Sequence, residues 1–148
     1  QLEVWVDEGI IEWWGRCADM PAVYAKAHIV CLPSRYGEGV PKALMEAAAC
    51  SRPLITTDIP GCREVVRHGE NGLLVPPGDV DALVAALETL SRDTELRRRF
   101  GARARQIAAS EFSEESVERQ TLAVYRKLLE PGVTPEASPT EGLPKTRS

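Results

Sequence analysis

The chain has 148 residues, 43% of them hydrophobic and 27% charged, with a formal net charge of −4. These are globular values, enough for one domain with a real core, and the acidic balance argues against a broad nucleic-acid interface, which needs a basic surface. No apolar run approaches the ~18 to 20 residues of a membrane helix and no signal peptide precedes the core, so the sequence predicts a cytoplasmic domain.

Short apolar runs alternate with helical patterns along the first half of the chain. We predict strands where apolar and β-branched residues run together and end at a turn residue. Such continuous runs are typical of a parallel sheet that is covered on both faces. The predicted elements are, in order, a strand at 10–14, a helix at 19–27, a strand at 28–32, a helix at 41–50, a strand at 53–57, a short helix at 61–67 and a strand at 72–75.

The second half of the chain is predicted to be helical. Asp79 can cap one helix, a second covers 94–110, and Ser113 can cap a last one. The second helix is rich in arginine, but acidic neighbours dilute its charge, so we expect a solvated helix and not a phosphate or lipid site. From residue 131 to 148 the composition shifts to Pro, Thr, Glu and Ser, which predicts a disordered tail behind a domain at 1–130.

The cysteines and histidines give no sign of a metal site. None of the four cysteines has Cys-x-x-Cys spacing, and reduced, structural cysteines are expected. His28 and His68 have no metal-ligand partner by spacing. The four cysteines are Cys17, Cys31, Cys50 and Cys62.

The most informative stretch joins the second predicted strand to the helix after it. Glu38 and Glu46 stand eight positions apart, on either side of a glycine loop and a probable helix start at Pro41. A helix N-terminus offers unpaired N–H groups and a partial positive charge to a phosphate. Carboxylates accept hydrogen bonds from paired sugar hydroxyls. The layout therefore suits a nucleotide sugar, which has a ribose, a diphosphate and a hexose in that order.

An ordinary structural role for the two acids is the alternative. Glu46 can pair with Lys42 one turn earlier on a solvated helix face, and Glu38 can be a plain loop acid. A pair in that orientation contributes only a few tenths of a kcal/mol. The spacing alone leaves both interpretations open.

Five stretches in order carry a resemblance to a known family. Together they resemble the donor-binding half of retaining glycosyltransferases of the GT-B fold, in the large family 4 group, whose pattern is a glutamate, seven residues and a second glutamate. The likeness extends more loosely from about residue 9 to about 129. It implies an α/β fold, a Rossmann-like parallel sheet with flanking helices, here as an incomplete C-terminal domain. The stretches are residues 32–34, 38–47, 53–58, 60–64 and 71–76.

The resemblance implies a role for each residue of the glutamate pair and the loop between them. Glu38 would contact the transferred sugar, as the catalytic residue, and Glu46 would hold the ribose. The backbone amides of the glycine loop and the helix start would meet the diphosphate. No metal or other cofactor is expected. The amides belong to Gly39, Val40, Lys42 and Ala43.

The function implied by the resemblance is transfer of a sugar from a UDP- or GDP-sugar to a glycan or lipid-linked acceptor. Bacterial surface-polysaccharide synthesis, at the inner face of the membrane, is the setting it favours, with peripheral membrane association of the full-length enzyme as a further expectation. A non-catalytic nucleotide-sugar-binding module is the alternative. A hydrolase would need both carboxyl groups to face one glycosidic bond, which the donor-style loop disfavours.

Two departures from the family pattern carry further expectations. Ser51 stands where the family usually has a glycine after the helix, so the helix end is expected to be capped less well. Two strands of the usual domain, with an Arg and a Lys that neutralise the diphosphate, have no counterpart here. We therefore expect this chain alone to transfer sugar poorly or not at all. Exposed sheet edges would invite self-association, or closure of the gap by residues 10–14.

Overall fold

The structure, a computed structural model, describes residues 1–37 and 39–129. The predicted tail at 131–148 and Glu38 lie outside the described residues. The described residues divide into two units, one that ends at Phe112 and one that begins at Ser113. The helices are α1 (Leu2–Asp7), α2 (Met20–Lys26), α3 (Lys42–Ala49), α4 (Pro60–Val65), α5 (Val80–Arg92), α6 (Thr94–Glu111) and α7 (Glu114–Leu129); the strands are β1 (Val30–Leu32), β2 (Leu54–Thr57) and β3 (Gly72–Val75).

The three strands form one parallel sheet in the order β1-β2-β3. Leu54 of the central strand is in register with Val30 on one side and with Gly72 on the other. Each strand is followed by a helix or helices, as the connection between parallel strands requires. The predicted parallel α/β sheet is confirmed.

Helices cover both faces of this sheet. Neighbouring side chains of a strand point to opposite faces, and Leu54 and Ile55 of β2, both 0% exposed, belong to two different core clusters. The first cluster receives Tyr24 from α2 and Ala47 from α3. The second receives Leu90 from α5. All four residues of β2 are buried, so this strand is covered on both faces, as the sequence predicted.

Aspartate and serine side chains cap the N-termini of three helices, α2, α5 and α7, at the predicted positions. Asp19 accepts from the Ala22 amide at 3.1 Å, and Asp79 accepts from the Ala82 amide at 2.9 Å. In the second unit, Ser113 accepts from the amide of Ser116 at 3.2 Å and α7 follows. Each of these bonds satisfies an amide that the helix itself leaves unpaired.

The turn that ends α3 contains a serine in the left-handed conformation, although the sequence led us to expect weaker capping there. Ser51 has a φ of 58°, the region that glycine normally fills. Its amide donates to the Ala48 carbonyl at 2.9 Å, and the amide of Arg52 donates to Ala47 at 3.0 Å. These two bonds form a Schellman motif with serine in the strained position, which costs about 1 kcal/mol relative to glycine.

The predicted strand at 10–14 is wrong. The amides of Ile10 and Ile11 donate back to the Trp5 carbonyl, at 2.9 and 3.2 Å, and so end α1. Ile10 and Trp13 are 65% and 69% exposed. Residues 10–14 have no neighbouring strand to pair with among the described strands, so the amides of Ile10 and Ile11 bond within the local turn instead. Closure of a sheet gap by these residues, expected from the sequence, is wrong for the same reason.

The arginine-rich helix α6 packs its small and apolar side chains inward. Its arginines lie outside this buried face, where Arg103 pairs with Glu70 at 3.3 Å and Arg105 donates to the Ala49 carbonyl at 3.0 Å. The predicted helix is confirmed, and these arginines also fasten it to the rest of its unit. The buried residues are Phe100, Gly101, Ala104, Ile107 and Ala108. Within the described part of the chain, no helix is both long and apolar enough to cross a membrane.

Candidate functional site

The carboxyl ends of the three parallel strands meet at one edge of the sheet, where open α/β sheets bind their ligands. Two buried threonines of β2 fix the chain that leaves β1 at this edge. Thr56 Oγ1 donates to the Leu32 carbonyl at 2.7 Å, and Thr57 Oγ1 donates to the Ser34 carbonyl at 2.6 Å. The loop that leads to α3 therefore starts from a fixed point.

Helix α3 begins at this carboxyl edge with Pro41 as its N-cap residue, at φ −68° and ψ 116°. The side chain of Pro41 makes no hydrogen bond to the first turn. The sequence placed Pro41 inside the first turn; the structure places it one position earlier. The amides of Leu44 and Met45 donate to its carbonyl, at 3.1 and 3.3 Å. The amides before these have no acceptor within the helix.

The predicted phosphate-binding residues lie together at this helix start. Gly39 and Val40 belong to the loop before Pro41, and Lys42 and Ala43 are the first two residues of α3. All four are exposed. The arrangement offers backbone N–H groups and the positive end of a helix dipole to an anion.

Glu46 lies one turn further along α3, and two side chains contact its carboxylate. The Tyr24 hydroxyl, from α2, donates to Oε2 at 3.3 Å. Lys42 Nζ lies 3.5 Å from Oε1. The side chain of Glu46 is 37% exposed, whereas that of Lys42 is 84% exposed. The ion pair of the ordinary interpretation is thus present, and a second, part-buried contact fixes the carboxylate.

Tyr24 is the site residue that the sequence did not reveal. It is 5% exposed, and burial, then the charge of Glu46 and the hydrogen bond to it, raises the pKa of Tyr24 above its ordinary value. The phenol is therefore a donor at neutral pH. The one available signal was that a buried tyrosine needs a partner for its hydroxyl; the identity of that partner, 22 residues away, is a tertiary fact.

A pocket of about 220 Å³ opens at the same edge, across the ends of all three strands. Its wall is largely apolar, with Arg35 of the β1–α3 loop and Asp79 at its polar side. Asp79 already accepts the Ala82 amide as the cap of α5. Further lining residues are Thr57, Val75, Val80 and Leu83.

Two further ionisable groups near this edge, Asp58 and His68, have hydrogen-bond partners. Asp58 follows β2, and the hydrogen bond from Arg63 holds the pKa of its carboxyl below the usual range. His68 Nδ1 accepts from the Leu74 amide at 3.0 Å. Among residues 1–37 and 39–129, no group of three or more His, Cys, Asp or Glu side chains could hold a metal ion. All four cysteines are free, as expected.

Comparison with known proteins places the chain in a family. The family described as "Glycosyl transferases group 1" matches residues 8–107. The chain is 36% identical over 120 residues to an exopolysaccharide phosphotransferase from Streptomyces coelicolor, which covers 80% of the chain and 13% of that protein. It is 38% identical over 112 residues to the MMP alpha-(1->4)-mannosyltransferase of Mycolicibacterium hassiacum, covering 75% of the chain and 27% of that protein.

Solved structures agree with this assignment. HepE from Anabaena, in complex with UDP, superposes with a TM-score of 0.76 at 27% identity, over 80% of this chain and 33% of that one. Sucrose-phosphate synthase from Thermosynechococcus elongatus gives 0.75 at 31% identity, over 86% and 33%. The chain thus spans a third or less of these relatives. It belongs to the group 1 glycosyltransferases and has part of their GT-B fold.

Proposed function

We propose that the chain binds the nucleotide-sugar donor of a retaining glycosyltransferase that moves a sugar from a UDP- or GDP-sugar to a glycan or lipid-linked acceptor. Membership of the group 1 glycosyltransferases supports the reaction class. The observation that carries the donor-binding role is the start of α3, where the amides of exposed residues, which Pro41 does not cap, lie one turn from a carboxylate that Tyr24 contacts.

The diphosphate would lie at the first turn of α3. The amides of Gly39, Val40, Lys42 and Ala43 are on exposed residues at the positive end of the helix dipole. A diphosphate anion can supply the acceptors that this first turn lacks. Since water satisfies those amides in the free protein, the net gain comes from the charge of the ligand.

The ribose would bind Glu46. Its carboxylate has acceptor positions left after the bonds to Tyr24 and Lys42, because an ionised carboxylate offers about four lone-pair sites. Tyr24 holds the carboxylate from the buried side, so the exposed side is free for two adjacent hydroxyls. Lys42 can swing away at little cost because its side chain is largely in solvent.

Glu38 would contact the transferred sugar and act in catalysis. It lies outside the described residues, and its assignment depends on the spacing of the two glutamates and the family pattern. It directly precedes Gly39 in the sequence, and we propose that it acts on the side of the phosphate position opposite Glu46. The proposed reaction needs no metal or other cofactor.

The setting we propose is bacterial surface-polysaccharide synthesis, in the cytoplasm at the inner face of the membrane. The name of the Streptomyces relative, an exopolysaccharide phosphotransferase, supports the polysaccharide setting. UDP in the Anabaena structure supports a uridine nucleotide over a guanine one. We further propose that this chain alone turns over poorly, because charge on the leaving diphosphate needs stabilisation beyond that of helix amides.

Self-association through the sheet edge is a further part of the proposal. β1 pairs only with β2 among the described strands, so its outer edge carries backbone groups without a ladder partner. A second copy that pairs with β1 would raise the mass measured by analytical ultracentrifugation as the protein concentration increases. A mass that stays at one chain over the whole concentration range would contradict it.

The ribose contact is tested by calorimetric titration of the chain with UDP and GDP. We expect Glu46→Gln to weaken the binding of the preferred nucleotide about tenfold, since a charged acceptor is lost. Glu88→Gln is the matched control, because Glu88 forms an ion pair of the same i,i+4 spacing with Arg92 on α5. Equal affinities for the two variants would show that Glu46 does not hold the nucleotide.

A further inference from the structure

A second cavity lies at the opposite edge of the sheet, at the amino ends of β1 and β2. Its volume is about 390 Å³. It lies between the residues that lead into the two strands and the first two turns of α6. The polar lining residues are His28, Ser51, Arg52, Thr94, Arg97 and Arg98. In a chain with a net charge of −4, the convergence of three guanidinium groups on one cavity requires an explanation.

Two of these guanidinium groups are fixed by backbone carbonyls. Arg97 donates to the Leu90 and Ser91 carbonyls at 2.6 and 2.8 Å. Arg52 donates to the Cys50 carbonyl at 2.9 Å and to the Ala27 carbonyl at 3.0 Å. Carbonyls position a guanidinium without neutralising it, and no acidic side chain in the described part of the chain forms an ion pair with either arginine.

The third guanidinium group has an exposed partner that a ligand can displace. Arg98 lies 2.8 Å from Glu95, one turn earlier on α6, and the two side chains are 74% and 81% exposed. Such a pair contributes little, because solvent screens it and both side chains lose rotamer freedom. An anion in the cavity would therefore compete with Glu95 for Arg98 at small cost.

We propose that this cavity binds a phosphate group of a small ligand. The planar guanidinium fork matches two phosphate oxygens at once, and Arg52 and Arg97 are already held in place, so little side-chain entropy is lost on binding. Ser51 and Thr94 add hydroxyl groups to the lining. The cavity lies at the end of α3 and the donor site at its start, about 12 Å apart along an eight-residue helix. The two sites are therefore separate.

The test is a titration with inorganic phosphate at constant ionic strength, followed by the NMR signals of the Arg52, Thr94 and Arg97 amides. We expect Arg98→Gln to weaken phosphate binding about threefold to tenfold, and Glu95→Gln to tighten it about threefold, because it removes the competing carboxylate. Arg99→Gln is the matched control: it removes the same charge from an adjacent, exposed position that does not line the cavity.

The opposite effects of the two variants make the proposal falsifiable. The three substituted positions, Glu95, Arg98 and Arg99, all lie on the exposed side of α6, so loss of the fold is not expected. If phosphate leaves the signals of the cavity unchanged, or if Arg98→Gln and Arg99→Gln behave alike, the cavity is a structural crevice. Sedimentation with phosphatidylglycerol vesicles identifies the source of the phosphate: retention that Arg98→Gln abolishes assigns it to a lipid headgroup, and phosphate binding without retention assigns it to a free ligand.

Discussion

The two ends of α3 are built in opposite ways. At its start the N-cap residue Pro41 makes no side-chain hydrogen bond to the first turn, and the residues that carry the first amides are exposed. At its end the carbonyls of Ala47, Ala48, Ala49 and Cys50 all accept hydrogen bonds, from two backbone amides and two arginines. The helix is the same eight residues, yet one end is left open and the other is closed.

This difference indicates a ligand-binding role for the start of α3 and a structural role for the backbone groups at its end. Buried or crowded helix ends must satisfy their polar groups within the protein, and the end of α3, packed under α6, does so. An exposed end can leave its amides to water and exchange that water for a ligand at small cost. Changes at the closed end should therefore alter stability, and changes at the open end should alter nucleotide affinity.

The largest expected effect is at the closed end, where α6 lies directly on the turn after α3. A Cβ atom on Gly101 would meet the Ser51 carbonyl oxygen at 2.2 Å. We expect Gly101→Ala to lower the free energy of unfolding by about 3 kcal/mol, because the two backbones must move apart. Equilibrium unfolding in urea measures it.

A control for this prediction is Gly37→Ala, at the open end. Nothing lies within 4 Å of a Cβ added there, so its unfolding free energy should stay within about 0.5 kcal/mol of the unmodified chain. Similar stabilities for the two variants would mean that α6 does not pack tightly on this turn.

The second largest expected effect is on the affinity for UDP, at the open end. Lys42 is the first residue of α3, a position that tolerates proline because its amide has no helical partner. We expect Lys42→Pro to weaken UDP binding about tenfold, since one donor to the diphosphate is lost. Lys42→Ala removes the same side chain and keeps the amide, and calorimetry should find its affinity within about threefold of the unmodified chain. Equal losses for both variants would exclude the amide contact.

The smallest expected effect is on the free energy of unfolding, at Ser51 at the closed end. Ser51 occupies the left-handed region at φ 58°, where glycine has no steric penalty. Ser51→Gly should raise the free energy of unfolding by about 1 kcal/mol in urea. Ser51→Ala retains the penalty and is the control. A glycine variant no more stable than the alanine variant would show that the turn is relaxed with serine.

Local patterns in the sequence were enough to predict the positions of all three strands of the sheet to within two residues. β3 was predicted with its observed bounds, 72–75, because the apolar run lies between a glycine and a proline. β1 starts two residues later than predicted, since its ladder begins where the Val30 amide meets the Pro53 carbonyl. Residues 10–14 have an equally apolar pattern and no partner strand. A strand depends on its neighbour, which periodicity within one segment does not describe.

The candidate site also combines residues that local patterns predict with a residue that only a tertiary contact reveals. The spacing and the family pattern indicated Glu46 and the loop from Gly39, and the structure places them together at one helix start. Their roles remain predictions. Tyr24 was missed because its contact with Glu46 joins α2 to α3, two helices that β1 separates in the sequence. Ser51 was expected to cap α3 less well than the glycine usual in the family; the structure shows both cap hydrogen bonds, with Ser51 in the left-handed conformation.

The central claim is that the open start of α3 receives the donor diphosphate. The most direct measurement is a titration of the ¹⁵N-labelled chain with UDP, followed by backbone amide NMR. The account predicts that the amide signals of Gly39, Val40, Lys42 and Ala43 shift with a single binding curve, and that Arg98→Gln, at the second cavity, leaves this curve unchanged. Shifts confined to the Ser51 end, or no shift at the start of α3 at saturating UDP, would contradict it.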